Sequence, residues 1–328
     1  MIAIRPLKTL LFIGIFMITN AMAEIPDIGL ETDSVSLPLM PGSIEQPYAD
    51  VKDELTLLSA AQLTKEFSKL GYHLEVVRQN SNVPELYVMN LPDDLNDQTV
   101  ENKINNFLRL LLPNVLAVNR QILKVRSTLK QMAERPSTSL TTEEQAWLQV
   151  LANDYGLKDS AKGAPLQGGD NPAVNIQQLL LHIDVIPTGM VLAQGIDESG
   201  WGTSHFAVQG NALYGEHLPQ SGGKYLTTPG GHVKVAAFDN LHQGTAAYIY
   251  NLNSSRAYND LWQLRQVLRA KGQPVTGYQL VEALANYSVR GQAYVKNLRS
   301  LIKQHDLDSY NEAALAATSD RKLIKFKH

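Results

Sequence analysis

The 328-residue chain is 44% hydrophobic and 19% charged, a globular composition with room for roughly two domains of ordinary size. Its 29 basic and 32 acidic side chains leave a formal net charge of −3, which argues against a general polyanion-binding surface and so against nucleic acid as a partner. There is no cysteine, which excludes disulfides, thiolate zinc sites, iron–sulfur clusters and a cysteine nucleophile.

In chain order, residues 1–23 read as a cleavable signal peptide. Arg5 and Lys8 precede the apolar run Leu10 to Ile18, and Ala21-Met22-Ala23 fits the small-x-small rule with cleavage before Glu24. That run is well short of the ~20 residues of a spanning helix, so a periplasmic or secreted product with no membrane span after cleavage is expected. Residues 24–50, with Pro26, Pro38, Pro41 and Pro47, read as an extended leader. Residues 51–165 form an N-terminal mixed α/β region. Here a helix is expected over Ala60 to Leu70, strands over His73 to Val77 and Glu85 to Met89, and a long helix over Val100 to Glu134. Pro113 should kink or divide that helix. Thr141 or Thr142 ahead of Glu144 and Gln145 resembles a capping box opening a helix through Leu151. Gly163 to Pro172 reads as a linker and the main domain boundary. Residues 170–310 are mostly helical, interrupted by a β-hairpin of Lys224 to Thr228 and His232 to Phe238. Residues 311–328 read as a solvated tail.

The segment that carries chemistry begins at Pro187, which suits a helix start, and runs to the breakers Gly200 and Gly202. On that helix Val191, Gln194 and Glu198 share one stripe, and Gly195 has no side chain to cover the carboxyl. A carboxylate at the C-terminal end of an apolar helix is desolvated and faces the negative end of the dipole. Both effects raise its pKa, the condition a general acid needs. Other constellations fail: there is no H-E-x-x-H, Walker A or G-x-S-x-G. His205, His217, His232 and His242 lack paired ligand spacing, so neither metal nor cofactor is expected.

The run Val191 to Ser204, containing Glu198-Ser199-Gly200-Trp201-Gly202, resembles the catalytic signature of bacterial glucosaminidases. These are the mannosyl-glycoprotein endo-β-N-acetylglucosaminidase-like domains of glycoside hydrolase family 73. Gly210-Asn211-Ala212-Leu213-Tyr214-Gly215, Phe238-Asp239-Asn240 and Tyr287-Ser288-Val289-Arg290-Gly291-Gln292-Ala293-Tyr294-Val295 are similar to further family blocks in the same order. Within the family the chain resembles the Bax-type secreted branch of Gram-negative bacteria. The resemblance implies a mainly α (α+β) protein: a lysozyme-like helical catalytic domain with a small β-hairpin lobe, preceded by a smaller α/β region. It implies Glu198 as general acid, Tyr287 lining the cleft near the reaction centre, and Asn211 and Tyr214 leading into the hairpin lobe. Three positions depart from the family pattern: Ala212 stands in place of its second Asn, Tyr214 in place of the usual Phe and Gly195 where Ala is typical.

Glycosidases normally pair two carboxylates. Asp197 points about 100° away from Glu198 around the helix and is a poor partner, whereas Glu216 and Asp239, which flank the expected hairpin, are the candidate second carboxylates. A 2-acetamido substrate can instead supply its own carbonyl oxygen as nucleophile. Trp201, Tyr225, Tyr287 and Tyr294 are candidate sugar platforms, although spacing does not settle whether Tyr287 and Tyr294 share a face. The reading is a monomeric hydrolase of peptidoglycan glycan strands, cleaving β-1,4 bonds on the reducing side of N-acetylglucosamine. The rivals are a lytic transglycosylase or muramidase with the same acid, and a weakly catalytic wall-binding module.

Overall fold

A computed structural model describes residues 37, 47–48, 51–157, 172–218, 222–228, 231, 233–285, 287–317 and 321–327. The expected signal peptide, most of the expected leader and most of the expected 163–172 linker lie outside the described residues. Among the described residues no helix is long and apolar enough to cross a membrane.

The elements are β1 (Asp53–Leu57), α1 (Ala60–Lys69), α2 (Leu74–Asn80), β2 (Asn82–Val83), β3 (Leu86–Val88), α3 (Val100–Ala133), α4 (Thr142–Asp154), α5 (Pro172–His182), α6 (Thr188–Ser199), α7 (His205–Gly210), β4 (Tyr225–Thr227), β5 (Lys234–Ala236), α8 (Leu241–Ser254), α9 (Asn259–Ala270), α10 (Gly277–Leu280), α11 (Gln292–Gln304), β6 (Ala314–Leu315) and β7 (Lys322–Phe326). The mainly α architecture with a small hairpin, read from the sequence, is what the chain adopts. β4 and β5 pair antiparallel, with Leu226 opposite Val235. Thr141 caps α4 in the expected box, its hydroxyl accepting from Glu144 N while the Glu144 carboxylate accepts from Thr141 N.

α3 is the axle. It packs against α5, α6, α8, β3 and α1. Pro113 does not divide it. A proline cannot donate to the carbonyl four residues back, and here that orphan carbonyl, Arg109 O, accepts from the buried Tyr72 hydroxyl at 3.1 Å. Arg109 Nη1 donates back to Tyr72 O at 3.1 Å, so the gap in the helix ladder becomes a tie to the N-terminal region.

Two expectations need correction. The strand expected at His73 to Val77 is the helix α2. Leu74 and Val77, three apart, are buried while Val76 is exposed, which is helical and not alternating burial. The tail expected at 311–328 is structural: β7 is the central strand of a parallel sheet ordered β1-β7-β3. Its Lys residues, which read as solvated charge, pair across to β1, Lys322 with Asp53 and Lys325 with Glu54, while Ile324 and Phe326 enter the core.

Residues 37–328 form one compact unit, and one core cluster joins Leu63, Phe67 and Phe107 from the N-terminal region to Ile196, Tyr248 and Leu298. The two regions are therefore not separate cores. The last leader residues also take part, since Tyr48 is buried with its ring 5.7 Å from that of Tyr87.

α6, α10 and the turn at Leu307–Tyr310 approach closely at Gly189 and Gly277, where a Cβ would meet backbone or Asp308 within 3.0 Å. Asp308 accepts from Gly277 N at 2.7 Å and Tyr278 N at 3.0 Å, capping α10. A Cβ on Gly277 would fall 2.5 Å from Met190 N and 2.7 Å from Asp308 Oδ1. Gly277→Ala is therefore expected to cost about 1–3 kcal/mol by overpacking, read as a lower midpoint in urea unfolding.

Candidate active site

Glu198 stands on the last turn of α6. Pro187 precedes the first turn, Gly200 closes the helix in the left-handed region at φ 58°, and the helix is buried from Thr188 through Ile196. This is a stretch of chain that must be helical to satisfy its buried backbone, ending where two glycines let it turn. Gly195 does not open space at the carboxyl, as its spacing suggested. A Cβ there would lie 3.1 Å from Leu111 Cδ2, so Gly195 lets α3 approach.

The Glu198 carboxyl is mostly enclosed. Its Oε1 accepts from the Tyr294 hydroxyl at 2.8 Å, and the Arg290 guanidinium lies 4.0 Å from the same oxygen. Burial raises its pKa; the Tyr294 bond opposes this, Asp197 adds to it, and Arg290 opposes it, with the net direction upward. Behind Tyr294 the chain continues. Gln194 Nε2 donates to the Tyr294 oxygen at 2.9 Å, and the Tyr248 hydroxyl donates to Gln194 Oε1. Asp197 turns away from the carboxyl, as expected, and binds Arg290 and Asn297, the latter at 2.6 Å. That anchors Arg290, which also sits over the Tyr294 ring at 4.6 Å.

The other residues singled out from the sequence divide between this cluster and elsewhere. Tyr287 stacks on Tyr294 with centroids 5.6 Å apart and planes 7° from parallel, which answers whether the two share a face. Its hydroxyl donates to Tyr214 O at 3.0 Å and not to Glu198. Tyr294 is fully buried and so is a partner of the Glu198 carboxyl, not an open platform. Tyr214 is also buried, stacked on Tyr248 at 3.9 Å, leaving only its backbone near the site. Asn211 ends α7 with φ 52° and donates to Phe238 O at 3.0 Å, tying that helix to the segment that follows β5. It lines a separate cavity of about 270 Å³ with Asp239, Gln209 and Phe326. Trp201 packs edge-on against Phe107 and His305, closing the helix end. Tyr225 is exposed on β4, with Lys234 over its ring at 4.3 Å. Gln194, Tyr248 and Arg290 were assigned no role from the sequence. The four-residue spacing of Gln194 and Glu198 was the one available signal.

The two candidate second carboxylates differ. Asp239 is exposed and paired with Lys224. Glu216 is enclosed: its Oε2 is buried without a hydrogen-bond partner, and Asn251 is its hydrogen-bonding neighbour. Tyr214, Tyr258 and Tyr287 all feel its charge. Burial pushes Glu216 from the ordinary 4.5 up to about 8. Between those values the fold holds a proton that the unfolded chain releases, so raising the pH drains stability by up to about 1.4 kcal/mol per unit. Glu216→Gln is expected to unfold at higher urea than the parent at pH 8, with the difference shrinking towards pH 4.5.

Among the described residues no cluster of three or more His, Asp or Glu side chains has the arrangement to hold a metal ion.

A family model described as mannosyl-glycoprotein endo-β-N-acetylglucosaminidase matches residues 173–307. Protein bax of Escherichia coli (strain K12) is 30% identical over 188 residues, which span 57% of this chain and 64% of that relative. The catalytic domain of the autolysin Auto from Listeria monocytogenes, a solved structure, is 14% identical with a TM-score of 0.30, over 56% of this chain and 96% of that one.

Proposed function

Residues 173–307 carry a glucosaminidase-like domain, and from that premise we propose that the protein is an exported peptidoglycan hydrolase. It cleaves β-1,4 bonds on the reducing side of N-acetylglucosamine, and Glu198 is the general acid. The observation that carries this reading is the Glu198 carboxyl itself: enclosed, raised in pKa by burial, and held by Tyr294. Such a group keeps its proton nearer neutral pH than a free carboxyl and can give it to the leaving glycosidic oxygen.

The bond then breaks towards an oxocarbenium-like sugar, which needs an electron pair from the opposite face. Asp239 is paired with Lys224, Asp197 with Arg290, and the free oxygen of Glu216 is sealed from solvent. This favours the 2-acetamido oxygen of the substrate as the internal nucleophile. The same scarcity of free carboxylates also suits a lytic transglycosylase, in which a substrate hydroxyl attacks. Arg290, half-exposed beside the acid, is positioned to meet the polar rim of a bound glycan.

Digestion of purified sacculi, with mass spectrometry of the released ends, tests the reading. Reducing N-acetylglucosamine ends support it. Reducing or anhydro muramic ends would replace it with the muramidase or transglycosylase reading, and no release across pH would leave a wall-binding module.

A further inference from the structure

The hydrogen bonds behind Glu198 have a direction, and the direction starts at Tyr248. Gln194, Tyr248 and Tyr294 are all fully buried, so none can turn to water for a missing partner. Among the described residues the Tyr248 hydroxyl has Gln194 as its one hydrogen-bond partner, and its proton must go there. That fixes Oε1 of the Gln194 amide on the Tyr248 side and its NH₂ on the Tyr294 side. The Tyr294 oxygen then accepts from Gln194, and its own proton has one place to go, Oε1 of Glu198 at 2.8 Å. The reversed chain would leave the buried Tyr248 proton without an acceptor among the described residues, a cost the observed polarity avoids.

Oε1 of Glu198 is therefore an acceptor, and the guanidinium 4.0 Å away favours negative charge on the same oxygen. Oε2 has no hydrogen-bond partner among the described residues. It faces exposed Gly215, where a Cβ would lie 3.8 Å away. We propose that Gln194 and Tyr248 are positioning residues that place the proton of Glu198 on Oε2, the oxygen turned towards the segment leading into the hairpin lobe. The value of this placement for glycan cleavage rests on Glu198 being the acid, because it presents the proton outward and keeps the inner oxygen occupied. The polarity itself rests on the relay alone.

Titration of the Glu198 side-chain carboxyl by ¹³C NMR in the full-length protein tests it, with the resonance identified by its loss in Glu198→Gln. Tyr294→Phe removes a bond to the charged form and should move the titration up by about one pH unit. Tyr248→Phe frees the amide to reverse, so Tyr294 is no longer obliged to donate to Glu198. A smaller upward shift is expected, and it should vanish in the Tyr294→Phe background. Gln194→Met keeps the volume and removes both polar ends, which leaves Tyr294 with Glu198 as its one acceptor among the described residues, so its titration should stay near that of the parent, in contrast to Tyr248→Phe. An unmoved titration in Tyr294→Phe and Tyr248→Phe, or an equal shift from Tyr248→Phe with and without the Tyr294 hydroxyl, would overturn the relay. The readout does not need turnover. An unmoved titration with Glu198-dependent cleavage removes the relay only, and shifted titrations without cleavage remove the hydrolase reading only.

Discussion

Glu198→Gln is expected to lower glycan release from sacculi by about 10²–10⁴-fold, the usual contribution of a positioned general acid. The substitution conserves shape, and the amide oxygen can still accept from Tyr294, so the thermal midpoint should stay near that of the parent. What is lost is the transferable proton. In the parent, the rate should fall as pH rises through the elevated Glu198 pKa, because the protonated form does the work. Burial outweighs the opposing influences for a physical reason: Arg290 is half-exposed and 4.0 Å away, so solvent screens its attraction, and it is already shared with Asp197. A variant that keeps parental rates with an unchanged pH profile would sink the assignment.

How much of this was legible in the sequence follows from how local each feature is. Glu198 could be placed because a helix ending in Gly200 and Gly202 is written within a dozen residues. The Thr141 cap and the β4–β5 hairpin are equally local. β7 was not legible, because Lys-Leu-Ile-Lys-Phe reads as a basic tail until its partners, about 270 residues earlier in β1 and about 236 earlier in β3, are known. The continuity of α3 through Pro113 needed Tyr72, 37 residues before the carbonyl it satisfies. In the site, spacing put Gln194 on the Glu198 stripe, but Tyr248 and Tyr294 arrive from α8 and α11, so the relay is a product of tertiary packing. Tyr214 shows the converse. Its motif position pointed to the cleft, and its ring went into the core because a large aromatic beside Tyr248 stabilises the fold more by burial than by exposure.

The largest stability effect is expected at a residue outside the site, Asp184, in the turn that leads into α6. It is almost fully buried, and its two oxygens bind Arg269 at 2.6 and 2.7 Å, with Arg126 at 3.5 Å and Arg265 at 3.8 Å. Arg265 is itself enclosed, and burial pushes its pKa down to about 10 against the opposing pull of Asp184. It also donates to the carbonyls of Leu181, His182, Asp184 and Val185, which fixes the path between α5 and α6. Asp184→Ala leaves that charge buried and uncompensated, and a loss of about 3–5 kcal/mol is expected in urea unfolding at neutral pH. Arg269→Ala breaks the two shortest bonds to Asp184, yet Arg269 is 40% exposed and two other arginines still neutralise the carboxylate. Its cost should be nearer 1 kcal/mol. If the penalty comes from stranded charge, the two variants separate by several-fold; if it comes from lost hydrogen bonds, they cost about the same. Because the turn that Asp184 anchors sets where α6 begins, Arg269→Ala should leave the Glu198 titration unmoved, whereas Asp184→Ala should shift it.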